Sequence, residues 1–343
     1  MKQIIVLFAA LILYFSASAK IWRVNNNVGI NADFTTLQAA HNGASADDTL
    51  YLEGSPTSYG GLNATKRLII IGTGYFLDLN LNLQALAMPS RVDAITLNAG
   101  AAGSMIAGLT FNGNAISIYA NNVLVQRNYF GTFSGSNYDW TTGTIYIYGS
   151  ASNIFITQNF AVMIANNSIS TGLLITGNFI SYGLAYGEAT PSPCLQLHAS
   201  SVAIIQNNIF RRGTLEANNS NISNNIMYNG FVSGTGNLLS NNISNNSQFG
   251  TANSNQENVS MASVFELTGT YDARWKLKAG SPALGAGYGS TVQNPVDCGM
   301  FGGSTPYVLS GIPAIPSIYY FANQPVGSNS DPIDVQIKVR SNN

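Results

Sequence analysis

The chain reads as an all-β parallel β-helix, a three-sheet solenoid, and three observations predict it. Six stretches between Ala115 and Ser244 repeat one pattern: 115–130, 144–160, 162–180, 194–210, 214–228 and 231–244. Each holds an alternating apolar strand, a turn of Asn, Ser and Gly, a second alternating strand, a bend ending in Asn, and a short third strand. The bend asparagines read as Asn128, Asn159, Asn178, Asn207, Asn225 and Asn241. A base unit of under twenty residues with insertions is the mark of a solenoid. Composition is the third observation: only 8% of the 343 residues are charged, against about 25% in an ordinary globular domain.

The physical reason is burial. Strands this short cannot stand alone, so they hide their apolar faces only by coiling and stacking. Stacked rungs lie about 4.8 Å apart, which lets an asparagine at each bend hydrogen-bond to the next as a ladder. Asparagine also tolerates the left-handed backbone of a tight bend.

Taken in order, residues 1–19 read as a secretory signal. Lys2 supplies the positive start, Ile4 to Phe15 the apolar core, and Ala17-Ser18-Ala19 a small-residue cleavage site. No later apolar run reaches the ~18 residues of a membrane span. The expected location is secreted, cell-surface or periplasmic. Removing the leader, which holds Lys2 and no acid, takes the net charge from −1 to −2. No basic patch invites nucleic acid.

The coil is expected over 20–303. Its N-terminal end carries a first strand, IWRV, and a short capping helix within ADFTTLQAAHNG (32–43), with Thr35 and Gln38 as a capping box and Gly43 as the stop. The helix plugs the open end, and His41 reads as a cap-packing or surface residue rather than a ligand. With two histidines and no Cys/His cluster, no metal or other cofactor is expected. Leu109 stands where later rungs have asparagine, so the ladder starts after it.

The insertions carry the functional reading. GTFSGSNYDWTTG (131–143) and SYGLAYGEATPSP (181–193) both follow a third strand and precede a first strand. They leave one edge of the coil about 10 Å apart, with one uninserted rung between them. Alternation turns Ser117/Tyr119, Tyr146/Tyr148, Met163/Ala165 and Gln196/His198 outward, with Glu216 on the next rung. Beside them the loops offer Tyr138, Asp139, Trp140, Tyr182, Tyr186 and Glu188, and Arg211 and Arg212 leave the same edge. Aromatic faces with a few hydrogen-bonding groups suit a sugar chain. Tyr119, Tyr138, Trp140, Tyr146, Tyr148, Tyr182, Tyr186 and Gln196 are the expected contacts to such a polysaccharide partner.

Strand, turn, strand, Asn bend, short strand and variable loop together resemble the right-handed parallel β-helix of the pectate-lyase-like superfamily. FTTLQAAHNGASADDTLYLEG, RLIIIGTGYFL, SPALGAG and DCGMFGG look like exported β-helix repeat proteins of Bacteroidetes. The resemblance implies a substrate groove along the first sheet, beside the long loops. It does not bring the catalytic residues with it: the outward strand positions hold no clustered carboxylates, only Glu216. The weak catalytic candidates are Asp139 and Glu188 as a hydrolase pair, Arg211 or Arg212 as a lyase base, and His198 beside Glu216. Calcium enters only under the lyase alternative. A noncatalytic scaffold, adhesin or glycan-binding protein ranks first, a polysaccharide lyase or hydrolase second, and a structural envelope component without a sugar ligand third.

Cys194 and Cys298 lie too many rungs apart for a disulfide, so two buried free thiols are expected. SVFELTG and YDARWKLKAGSPALGAG read as terminal rungs, with Trp275 as a core plug. Residues 304–343 form a proline-rich linker running over the end or side of the coil, then the amphipathic strand PIDVQIKVR (332–340). That strand either folds back as a cap or docks on a partner.

Overall fold

The computed structural model describes residues 19–134, 139–182, 192–325, 327 and 332–342. It is mainly β, and its two large sheets are built almost wholly of parallel strands, as a β-helix-like coil requires. Ten second strands, from Ile21–Val24 to Leu238–Ser240, stack in one sheet. Their middle residues Leu50, Ile70, Ile106, Val125, Ile156, Ile175, Ile205 and Ile222 form one inward column, each fully buried or nearly so. First and third strands make the other sheet, joined through Phe160–Asn166. That strand is the uninserted rung: Phe160 pairs with the third strands, Val162 to Asn166 pair with the first, and Ala161 turns between them at φ +54°.

The ladder is present, and its register corrects two of the six asparagines. Hydrogen bonds of 3.0–3.1 Å link Asn128, Asn159, Asn178, Asn208, Asn225, Asn242 and Asn255 in sequence. The first six are fully buried. Asn207 and Asn241 stand one place earlier, in the left-handed region at φ +53° and +54°. At a paired asparagine the first residue makes the bend and the second turns inward. The same left-handed position is filled by Arg127, Gln158, Gly177 and Asn224 on the other rungs. The ladder starts where expected, with Leu109 N donating to Asn128 Oδ1.

At the N-terminal end the helix is Leu37–Gly43, capped by Thr36 rather than Thr35, since Thr36 Oγ1 accepts from Ala39 N. Gln38 does not close a capping box; its Oε1 accepts from Asn63 N on the adjoining strand. His41 is buried and its Nε2 accepts from Thr65 N, so it fastens the cap to the coil. Asp48 holds the first strand by accepting from Lys20 N, Trp22 Nε1 and Ser45 N, each at 2.8 Å.

The C-terminal third departs from the terminal rungs expected at 263–287. After Gln256 the chain leaves the stack and runs back along the outside of the third strands, toward the N-terminal end. It buries Met261, Val264, Phe265, Trp275, Cys298, Met300 and Tyr307 against an apolar row of Tyr129, Phe160, Phe179, Ile209, Ile226 and Ile243. Trp275 therefore plugs this lateral layer, and Phe249 closes the coil interior. The left-handed column anchors the return run. Asn241 Nδ2 donates to Ala286 O, Asn207 Nδ2 to Asp297 O, Gln158 Nε2 to Pro306 O and Arg127 Nη1 to Ile312 O, all within 2.9 Å. Near its far end Tyr75 meets Tyr307 at 2.7 Å, and Tyr307 and Ser310 N donate to the fully buried Asp272. Burial pushes both phenols well above their usual range, by raising the cost of an anion there.

The last strand, Val335–Arg340, pairs antiparallel with Ser317–Asn323. This hairpin roots on 83–85 through Ala85 N to Ile318 O and Arg340 Nη2 to Leu83 O. It stands beside the coil and does not close its end. Both cysteines are buried free thiols, as expected, each pushed up to about 12 by burial. Among the described residues no helix is long and apolar enough to cross a membrane.

Candidate functional site

The first strands set eight outward side chains in one column: Asn63, Thr96, Ser117, Tyr146, Ala165, Gln196, Glu216 and Ser233. At about 4.8 Å per rung this column is about 34 Å long. Its centre is aromatic. Tyr146 and Tyr148, the second just past the strand end, stack with centroids 5.7 Å apart at 19°, and Tyr148 stacks on Tyr119 of the previous rung at 5.0 Å and 17°. Burial in this stack raises the Tyr148 phenol, the neighbouring Tyr119 and Tyr146 add to it, and a bond with Asn167 opposes it. Tyr119 is exposed.

Ser117 and Ala165 flank Tyr146 across the rungs. Neither carries a bulky group, so the ring rises from a low floor. Two rungs on, Gln196 Nε2 donates to Glu216 Oε2 at 2.9 Å. The carboxylate thereby orients the amide and keeps its second oxygen for another donor. His198 follows two residues past the end of that strand; its Nδ1 accepts from Ser200 N at 3.2 Å.

The structure thus brings Tyr119, Tyr146 and Tyr148 together at one point of the face and Gln196, Glu216 and His198 at another. Arg211 ends a third strand, with its guanidinium 4.4 Å over the Tyr228 ring. Arg212 follows at φ +63° in the bend. Tyr182 is half-buried and packs against the coil interior. Asp139 and Trp140 lie on an arm in which Gly131–Ser134 pairs antiparallel with the start of Asp139–Ile147. Tyr138, Tyr186 and Glu188 fall outside the described residues. The two insertions leave between third and first strands, with the Phe160–Asn166 rung between them.

Among the described residues no three His, Cys, Asp or Glu side chains converge as metal ligands do. What the arrangement can do chemically is present flat apolar rings and fixed amide and carboxylate groups to an extended ligand. The outward alternation of Met163 and Ala165 extends to Asn167, which bonds Tyr148. No protein-family model matches the chain, and no curated protein matches its sequence.

Proposed function

We propose that this is an exported right-handed parallel β-helix whose first-sheet face binds an extended polysaccharide without cleaving it. The carrying observation is the Tyr119–Tyr148–Tyr146 stack beside low neighbours, in line with the Gln196–Glu216 pair. Pyranose rings offer apolar faces that rest on such tyrosines, and their hydroxyls suit an oriented amide and carboxylate. A lone Glu216 in the column lacks the second carboxyl that acid–base glycoside hydrolysis uses. Export follows from the composition of residues 1–19.

The test is a panel of neutral and uronate-containing polysaccharides, scored for retention in affinity gels and for release of reducing or unsaturated ends. Retention without product is expected. Tyr146→Ala and Tyr148→Ala should each weaken it about tenfold, roughly 1.4 kcal/mol. Product formation that disappears in Asp139→Asn or Glu188→Gln would replace this reading with an enzyme. Absence of retention across the panel would replace it with a structural role.

A further inference from the structure

Granted that the first-sheet face binds a glycan, as proposed above, its charge pattern selects which class. Of the eight outward side chains from Asn63 to Ser233, Glu216 alone is charged; the other seven are two amides, three hydroxyls, a methyl and a phenol. At about 4.8 Å per rung this is one charge in about 34 Å. The sequence around the face is poor in cations. From Asn128 to Ala273 it holds Arg211 and Arg212 against Asp139, Glu188, Glu216, Glu257, Glu266 and Asp272. Both arms, 131–143 and 181–193, are without Lys or Arg. Neither arginine joins the column: Arg211 closes a third strand with its guanidinium over Tyr228, and Arg212 makes the bend after it.

Charged glycans repeat their charge. A polyuronate carries a carboxylate on every sugar, and a protein holds such an array with Arg forks, Lys, or divalent cations gathered by several carboxylates. The column offers it the opposite, a carboxylate at Glu216, so the two anions repel while the sugar carboxylates lose water without gaining a partner. A polyglucosamine needs an acid at intervals along the face and finds one. The groups that are present match hydroxyls instead. Amides and hydroxyls donate and accept, Glu216 accepts at the oxygen that Gln196 leaves open, and the tyrosine rings take the apolar side of a pyranose.

Register also sets a minimum length. Tyr146 and Glu216 stand three rungs apart, with Ala165 and Gln196 between them, which is about 14 Å. A single sugar cannot touch both. We propose that the ligand of this face is a neutral oligosaccharide or polysaccharide, lying along the coil axis from the tyrosine stack to Glu216, and that glycans charged on every sugar are rejected. Such binding draws on ring contacts and hydrogen bonds, so it is insensitive to salt, whereas binding of a charged polymer weakens as salt screens it.

The experiment is titration calorimetry of residues 20–343 with cellohexaose, xylohexaose, mannohexaose, hexagalacturonate and hexaglucosamine, the hexagalacturonate arm repeated with calcium. A neutral hexamer is expected to bind with a Kd that moves less than about twofold between about 20 mM and about 500 mM NaCl. Its disaccharide, and both charged hexamers, should bind at least about tenfold more weakly. Tyr146→Ala and Gln196→Ala, both outward on exposed strand faces, assign the binding to this face, with circular dichroism checking that each is folded. A charged hexamer that binds as tightly as any neutral one, and is released by these variants, overturns the charge selection and leaves the glycan-binding face standing. A disaccharide as tight as its hexamer overturns the required span. Binding of no hexamer, or binding that neither variant weakens, overturns the face and the selection together.

Discussion

Ladder asparagines and their neighbours look alike in sequence and differ in what they hold. Asn208 is fully buried and its amide reaches Ile175 O, Gln206 O and Asn225 Oδ1. Asn207 makes the left-handed bend and donates to Asp297 O. Asn208→Ala should cost about 3 kcal/mol, because it strands buried partners on two rungs. Asn207→Ala should cost about 1–2 kcal/mol, from the lost bond to Asp297 O, two longer ones with Gly299 O and Asn224 Nδ2, and the left-handed backbone. Urea unfolding of both variants checks the order; a larger loss at 207 would reverse the register.

Asp48 gives the pH dependence at this scale. Burial pushes its carboxyl up, but the bonds from Lys20 N, Trp22 Nε1 and Ser45 N outweigh that and hold it below its usual value. A carboxylate lowered in the folded state stabilises the protein above its unfolded pKa, near 4, and that contribution disappears as pH falls through the folded value. Wild-type melting temperature should therefore drop more steeply than that of Asp48→Asn between about pH 5 and pH 3. Parallel melting curves for the two proteins would refute it.

Among elements, the strands were legible because alternation with period two marks inward and outward positions without any tertiary knowledge. That is why Tyr119, Tyr146, Tyr148 and Gln196 fall on one face as expected. Paired asparagines were ambiguous, since either member satisfies the bend chemistry. The return run was not legible at all. Residues 261–312 carry no periodicity, and their partners are backbone carbonyls and left-handed residues scattered over six rungs. Their weight can be measured. Deleting 326–343 removes Val335–Arg340, whose apolar side chains are already exposed, so the melting temperature should fall by only a few degrees. Deleting 304–343 also removes Tyr307, Ser310 and Ile312, baring Tyr75, stripping Asp272 of its bonds from Tyr307 and Ser310 N, and taking Ile312 O from Arg127. A fall beyond about 10 °C is expected there. Equal losses would mean that the hairpin, not the return run, holds the lateral layer.

For the whole molecule, the candidate face was visible in outline and its rim was not. Strand register reports which side chains share a surface, but the arms at 131–143 and 181–193 obey no repeat, so their tips cannot be placed from pattern alone.

A stacked architecture ordinarily tolerates gain or loss of one unit, because each rung touches only its neighbours. The run from Ala286 to Ile312 removes that freedom. Its carbonyls at Ala286, Asp297, Pro306 and Ile312 meet side chains on four of the six rungs between Asn241 and Arg127. Duplicating a rung would displace every later partner by about 4.8 Å while the return segment kept its length. Copy number is thereby locked, and added length is accommodated in the arms, which leave the coil between third and first strands without moving the scaffold.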